Sequence, residues 1–250
     1  MSKNKVKEKI AISIDKDLLD SLDKKVDGKI IRSRSQAIEY FLLKGMDNSI
    51  DTAVIMIRGT HQNLLLKEID GDKLIKKHLE LLKNNNIKNI FLLTQKNSDT
   101  KELLEAVDNE LRLLDRNAGG NAEALLRIKD SISSSFVVIS GDVFIDFNIK
   151  AMIDFHKNNG KIATMGLMTR AETSDYGEAV LEGNSIIGFR EKPQKSESHA
   201  VNSGIYIFNP EIFKYLDSSR SLEKDVFPRL ANNRELSGFF THGKYFHVKG

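Results

Sequence analysis

The sequence predicts an α/β protein in two unequal parts: a small β-α-α head, then a larger body built on a mixed sheet covered by helices. Two observations predict the parts themselves. Near the start, one alternating apolar stretch is followed by two helical stripes, and from Thr52 onward short apolar runs alternate with helical spacing. The third is charge. Residues 1–46 hold 11 Lys+Arg against 7 Asp+Glu, a balance of +4, whereas residues 47–250 hold 27 against 28, a balance of −1. A basic head on a near-neutral body implies parts with different partners. The expected division is 1–46 for the head, 47–51 for a linker and 52–250 for the body.

The 250 residues are 40% hydrophobic and 29% charged, which supports a sizeable core. There is no cysteine, so disulfides, thiol catalysis, cysteine zinc sites and iron–sulfur clusters are excluded. No apolar run approaches the ~18–20 residues that span a bilayer. The lysines of MSKNKVKEKI are not followed by an apolar stretch, so no signal peptide is expected there. The expected location is the cytoplasm, without membrane contact.

Taken in order, Lys9 to Ile14 (KIAISI) has the period of a half-buried strand. Asp15 is a helix cap, Leu18, Leu19, Leu22 and Val26 a stripe, and Gly28 a stop. Ser33-Arg34-Ser35-Gln36 is a capping box, followed by the stripe Ala37, Ile38, Phe41, Leu42 and Met46. Gly45 to Asp51 is polar and turn-forming. In the body, Ala53–Ile57, Ile90–Thr94 and Phe136–Ser140 read as buried strands, and the last runs into Gly141-Asp142. Leu74 to Leu82 and Glu123 to Ile132 have helical spacing. After Lys161 the text becomes rich in hairpins.

A head of about 40 residues with one strand can neither close a core nor satisfy that strand's backbone alone. Two chains pairing their strands would solve both problems. The order and spacing of residues 6–46, with S-R-S-x-A-I at Ser33–Ile38, resemble the ribbon-helix-helix DNA-binding family. The resemblance implies a homodimer or higher homo-oligomer on double-stranded DNA. Lys9, Ala11 and Ser13 would face the major groove, and Arg34 and Ser35 would hold a phosphate at a helix N-terminus. Lys3, Lys5 and Lys7 would extend the positive footprint.

Within residues 52–249, GGNAEALL, FVVISGDVFIDFNIKAMIDFHKNNGKIATM, DYGEAVLEGNSIIGFREKP, VNSGIYIFNPEIF and LEKDVFPRLA resemble the sugar-phosphate nucleotidyltransferases, which have a Rossmann-like domain. The resemblance implies attack of a sugar 1-phosphate on a nucleoside triphosphate, a reaction of positioning and charge neutralisation. The family uses a G-G-x-G-T-R loop, a K-P-L lysine and Mg²⁺ between two aspartates. Here Arg58-Gly59-Thr60-His61 replaces a longer loop, Asn63 or Leu64 stands where the lysine would, and His247 stands for the second aspartate. Asp142 remains. One carboxylate and one imidazole suit Mg²⁺ poorly, so no cofactor is expected. The pocket's other half is better kept. Gly119 and Gly120 match glycines lying against the base, and Tyr176-Gly177, Glu191-Lys192-Pro193 and Asn202-Ser203-Gly204 match positions holding sugar and phosphate. Gly119, Gly120, Asp142, Gly177, Glu191, Lys192 and Asn202 are therefore the candidate ligand-binding residues. His78, His156, His199 and His242 are expected at the surface.

These readings combine into an expected transcription regulator: a DNA-binding head on a pseudoenzyme body that senses an anionic sugar or nucleotide sugar, or simply oligomerises. On this reading the chain is not an enzyme and has no catalytic residues. The alternative is an atypical sugar-phosphate nucleotidyltransferase with a dimerising head. A third reading is a DNA-binding scaffold without an effector.

Overall fold

The computed structural model describes residues 10–26, 28, 31–46, 50–108, 110–115, 118–240 and 242–248. The chain divides into two compact units, Met1–Ser49 and Ile50–Gly250.

In the first unit, α1 (Lys16–Asp23) is capped by Asp15, whose carboxylate accepts from the backbone N–H of Asp17 at 2.9 Å and of Leu18 at 3.3 Å. α1 ends at Asp23, and Gly28, with φ +70°, serves a turn several residues later. In α2 (Arg34–Met46), Ser33 Oγ accepts from Gln36 N at 3.2 Å. Gln36 reaches back one residue further than a standard capping box, to Arg32 N at 2.9 Å. The expected strand does not form in its described part: residues 10–14 are irregular, and Lys9 lies outside the described residues. A lone strand has no ladder partner in a single chain. Only part of the expected stripes is covered. Ala37 and Ile31 are buried, but Ile10, Ile12, Leu18, Tyr40, Phe41 and Leu42 are exposed.

The second unit contains β1 (Thr52–Met56), the short strands β2 (Glu68–Ile69) and β3 (Asp72–Lys73), α3 (Leu74–Asn84), β4 (Asn89–Thr94), α4 (Thr100–Glu105), β5 (Arg112–Asp115) and α5 (Asn121–Leu126). Next come β6 (Phe136–Ser140), β7 (Val143–Ile145), α6 (Ile149–Asn159), β8 (Ala163–Thr169), β9 (Gly177–Glu182), β10 (Ser185–Glu191) and β11 (Ala200–Phe208). The unit closes with α7 (Phe213–Leu216), α8 (Phe227–Asn232), β12 (Leu236–Phe240) and β13 (Tyr245–His247). Nine strands form one sheet in the order β5-β4-β1-β6-β11-β8-β12-β10-β9. β5, β4, β1 and β6 run parallel, whereas β11 is antiparallel to both β6 and β8, so the sheet is mixed as expected.

Continuous apolar strands arise because both faces are covered. Ala53 and Ile55 pack on one face with Leu74, Leu79 and Met152; Val54 and Val138 pack on the other with Leu125, Phe208 and Phe227. α6 shows how local chemistry sets an element's length. Asn148 caps its start through Ala151 N at 3.0 Å, and Gly160, at φ +64°, ends it in the left-handed region. The helix expected over Glu123–Ile132 is shorter: α5 stops at Leu126, and a 3₁₀ turn follows at Lys129–Ser131.

Two histidines expected at the surface are buried. His156 fills both ring nitrogens, Nδ1 with Thr164 Oγ1 at 2.8 Å and Nε2 with Asn209 Oδ1 at 2.9 Å. His78 on α3 has Nε2 2.7 Å from the Val143 carbonyl, while its Nδ1 is buried without a partner. Burial pushes the His78 imidazole down to about 4, so the ring is neutral and Nε2 carries the donated proton. His199 and His242 are exposed.

Candidate functional site

The parallel strands place their carboxyl ends along one edge, where open α/β sheets bind ligands. Asp142 sits there, in the turn between β6 and β7. Its backbone is fixed on both sides. Val248 N donates to the Asp142 carbonyl at 2.8 Å, and His78 donates to the next carbonyl, that of Val143. β13 pairs antiparallel with β7 and sets His247 opposite Val143. As a result, His247 Nε2 lies 3.4 Å from Asp142 Oδ2. Burial pushes the Asp142 carboxyl up, but the hydrogen bond and charge of His247 outweigh it and hold the group below the usual range.

The expected replacement of the second aspartate is thus a real juxtaposition, and it tests the fit of the family's Mg²⁺. Mg²⁺ needs hard oxygen donors in near-octahedral geometry. The donors here are one carboxylate oxygen and one imidazole nitrogen, already in contact with each other. Among the described residues no three His, Cys, Asp or Glu side chains gather into a metal ligand set. The residues do not fit this ion in the family's manner.

Residues 59–66 form a 3₁₀ segment in place of a glycine-rich loop. Gln62, fully buried, pins it: its amide donates to Thr94 Oγ1 at 3.1 Å and to the Gln95 carbonyl at 2.5 Å, and it accepts from Thr100 Oγ1 at 2.8 Å. Asn97 adds a bond to the Gly59 carbonyl. A Cβ on Gly59 would lie 2.8 Å from the Gln95 oxygen, so this glycine serves packing. Asn63 is exposed and Leu64 buried, and neither supplies the lysine's charge. Sequence reasoning missed Gln62; an amide among apolar leucines was its only signal.

The other half of the pocket is built on strands. Gly177 opens β9, where a side chain would meet the ring of Phe189 and, at 2.9 Å, Glu191 Oε2. Glu191 ends β10, opposite Gly177. Burial, reinforced by the nearby charge of Glu223, pushes its carboxyl up. Lys192 is exposed, has φ +47°, and donates its backbone N–H to the Tyr176 carbonyl at 3.0 Å. Asn202 donates to Tyr206 Oη at 2.8 Å and accepts from Gly204 N at 2.9 Å, so its amide is held in one orientation.

Gly119 and Gly120 are committed to the fold. Gly119 N donates to Glu123 at 2.8 Å, and Gly120 lies so close to the Arg220 carbonyl that no side chain fits. Asn121 ties the same corner to Glu223 at 2.9 and 3.0 Å.

In the head, Ala11, Ser13 and Ser35 are exposed, while Lys3, Lys5, Lys7 and Lys9 lie outside the described residues. Arg34, expected to hold a phosphate, is instead paired with Asp23 through two bonds, at 2.7 and 2.5 Å. A carboxylate already occupies its fork.

Comparison with known proteins bears on the body. The profile of the nucleotidyl transferase family matches residues 59–245. The chain is 38% identical over 122 residues to the mannose-1-phosphate guanylyltransferase catalytic subunit beta of Drosophila pseudoobscura pseudoobscura, covering 47% of this chain and 33% of that protein. It is 33% identical over 126 residues to the mannose-1-phosphate guanyltransferase of Hypocrea jecorina, covering 49% and 35%. The chain thus matches about a third of the length of these curated relatives. A solved structure of UDP-glucose pyrophosphorylase with UDP-glucose shares the fold, with a TM-score of 0.65 at 17% identity, covering 80% of this chain and 93% of that one.

These relationships overturn the expected DNA-binding transcription regulator and its pseudoenzyme body. The curated relatives are mannose-1-phosphate guanylyltransferases, which point to an enzyme rather than to a DNA-binding regulator. The regulator reading took the lost loop, lysine and aspartate as the end of catalysis. They are the loss of loop amides, one cation and one carboxylate, in a kind of reaction that depends on total charge and position rather than on any single group. With its profile match running from the loop segment to β13, the chain belongs to the nucleotidyl transferase family.

Proposed function

We propose that this chain is an atypical sugar-phosphate nucleotidyltransferase, joining a sugar 1-phosphate to a nucleoside triphosphate with release of pyrophosphate. The observation that carries the reading is the 38% identity to a mannose-1-phosphate guanylyltransferase. Mannose 1-phosphate and GTP are therefore the first substrates to try. In this reading Asp142 fixes the His247 imidazole beside the reacting phosphates through its held turn, with no step assigned to a metal. Glu191 accepts from sugar hydroxyls, Asn202 exchanges hydrogen bonds with them, Lys192 pairs with a phosphate, and Gly177 leaves room for the Phe189 ring and the Glu191 carboxyl group that faces the sugar. Gly119 and Gly120 shape the corner facing the base.

The head is proposed to be a ribbon-helix-helix-type module that pairs two copies of the chain. The exposed Ile10, Ile12, Leu18, Phe41 and Leu42 support this, since a unit this small leaves apolar surface that a second copy can cover. A cytoplasmic setting accompanies the proposal; among the described residues no helix is long and apolar enough to cross a membrane.

The test is pyrophosphate release from a panel of sugar 1-phosphates and nucleoside triphosphates. Release by the wild type that disappears in Asp142→Ala is expected. Release that persists unchanged in Asp142→Ala would remove Asp142 from the site.

A further inference from the structure

A second cation stands beside the candidate site with no carboxylate, among the described residues, to answer it. Arg170 follows β8 and is half-buried. Its guanidinium carbon lies 5.2 Å from the centre of the Tyr245 ring and 6.0 Å from that of Tyr176, and the two rings are 6.4 Å apart. Its backbone is anchored to His199, N–H to carbonyl at 3.0 Å, and Nη1 reaches the Thr169 carbonyl at 3.4 Å. Among the described residues no Asp or Glu lies within ion-pair distance of it, in contrast to Arg190, which holds Glu178 and Glu197, and Arg34, which holds Asp23. A partly desolvated guanidinium costs free energy unless something anionic meets it. The two rings fix its position while leaving donors of its fork unused.

The two tyrosines also place it. Tyr176 precedes Gly177, and its carbonyl accepts from Lys192 N. Tyr245 lies in β13, two residues before His247, the partner of Asp142. Arg170 is therefore held between the strand-built half of the pocket and the Asp142 turn. Burial first, then the nearby tyrosine and Asp142, push the Tyr245 phenol up, and Arg170 opposes them, which puts Asp142 and Arg170 around one side chain.

We infer that Arg170 is a phosphate-binding residue, supplying to the ligand's phosphate part of the positive charge that the missing lysine would bring. A guanidinium suits this role because its fork can take two phosphate oxygens at once. The inference rests on the proposed sugar-phosphate chemistry of the site.

Calorimetry with mannose 1-phosphate tests it on the full chain, using wild type, Arg170→Gln, Arg170→Lys and Lys192→Ala, each first checked for an unchanged melting temperature. A charge-assisted bond predicts a 10- to 150-fold loss of affinity in Arg170→Gln and partial recovery in Arg170→Lys, roughly the range for such bonds. Arg170→Gln should also flatten the dependence of affinity on salt, which a merely structural role would not do. Wild-type affinity and salt dependence in Arg170→Gln, alongside a loss in Lys192→Ala, would overturn the assignment of Arg170 and leave the site reading standing. Equal loss in Arg170→Gln and Arg170→Lys, with the salt dependence kept, would also overturn it, by showing that the ring platform alone mattered. No binding by the wild type of mannose 1-phosphate, any other sugar 1-phosphate or a nucleotide sugar would overturn both readings.

Discussion

The two halves of the pocket are held in place by different means. On the side of Gly177, Glu191 and Asn202, the residues sit on β9, β10 and β11, and ladder bonds to neighbouring strands set their positions. On the side of residues 58–66, a short 3₁₀ segment is pinned by two side-chain amides, the buried Gln62 and Asn97, and beside it Asp142 is held against His247. Strand-borne groups cannot move without breaking the sheet. A loop-borne phosphate cradle can be shortened, provided its new backbone finds partners and its charge is replaced. On the proposed function, the site is kept where the sheet holds its residues and rebuilt where a loop did.

The largest expected effect breaks the rebuilt side at its pin. Gln62→Leu removes three hydrogen bonds and leaves Thr94 facing an apolar group, while Thr100 keeps Asn97 as a partner. At about 1–3 kcal/mol for a buried polar group left unsatisfied and about 1 kcal/mol for each further bond lost, the loss is about 3–5 kcal/mol, measured by urea denaturation. A loss under ~1 kcal/mol would mean that the segment does not depend on this amide.

Next in size is an effect of acid on the frame behind Asp142. His78 is neutral in the fold, at about 4 against an ordinary 6.5, so the unfolded chain binds the extra proton. Stability is therefore full above pH ~6.5 and falls as the pH drops towards 4, by about 3 kcal/mol in all. His156, also pushed down by burial, acts in the same direction. His78→Gln keeps a donor for the Val143 carbonyl and should flatten this dependence. Denaturation midpoints measured from pH 7.5 to 4 for both proteins decide it; parallel curves would place the titration elsewhere.

The strand-built side has a sharper test. Lys192→Ala should weaken a sugar 1-phosphate by about 10- to 150-fold, with little change in melting temperature because the side chain is exposed. A large drop in stability with unchanged affinity would reverse that assignment. The smallest effect lies outside the pocket. Gly160→Ala forces a side chain into the left-handed region at the end of α6 and should cost about 1–2 kcal/mol without altering ligand affinity.

Much of the body was legible because its signals are local. Phe136–Ser140 is a strand over the expected residues, and Gly141-Asp142 follows it into the turn where Asp142 meets His247. What escaped is set by distant partners. Nothing in the local spacing marks His78 and His156 as buried, but their rings meet Val143, Thr164 and Asn209 across the fold. Arg170 carries no motif, and only the convergence of Tyr176 and Tyr245 marks it. Alternation in the head reports a strand tendency; a ladder needs a second strand, and among the described residues none pairs with residues 10–14. A missing loop, lysine and aspartate are visible in the sequence as gaps, whereas an arginine seated on two tyrosine rings is not, because Arg170, Tyr176 and Tyr245 meet only in the fold.

The central claim is that this rebuilt pocket still transfers a nucleotidyl group. Radiolabelled mannose 1-phosphate, incubated with each common nucleoside triphosphate and separated by chromatography, measures the transfer itself. The account predicts label in a nucleotide sugar with the wild type and none with Asp142→Asn. Label remaining wholly in the monophosphate with every triphosphate, for this sugar and for a panel of other sugar 1-phosphates, would contradict it.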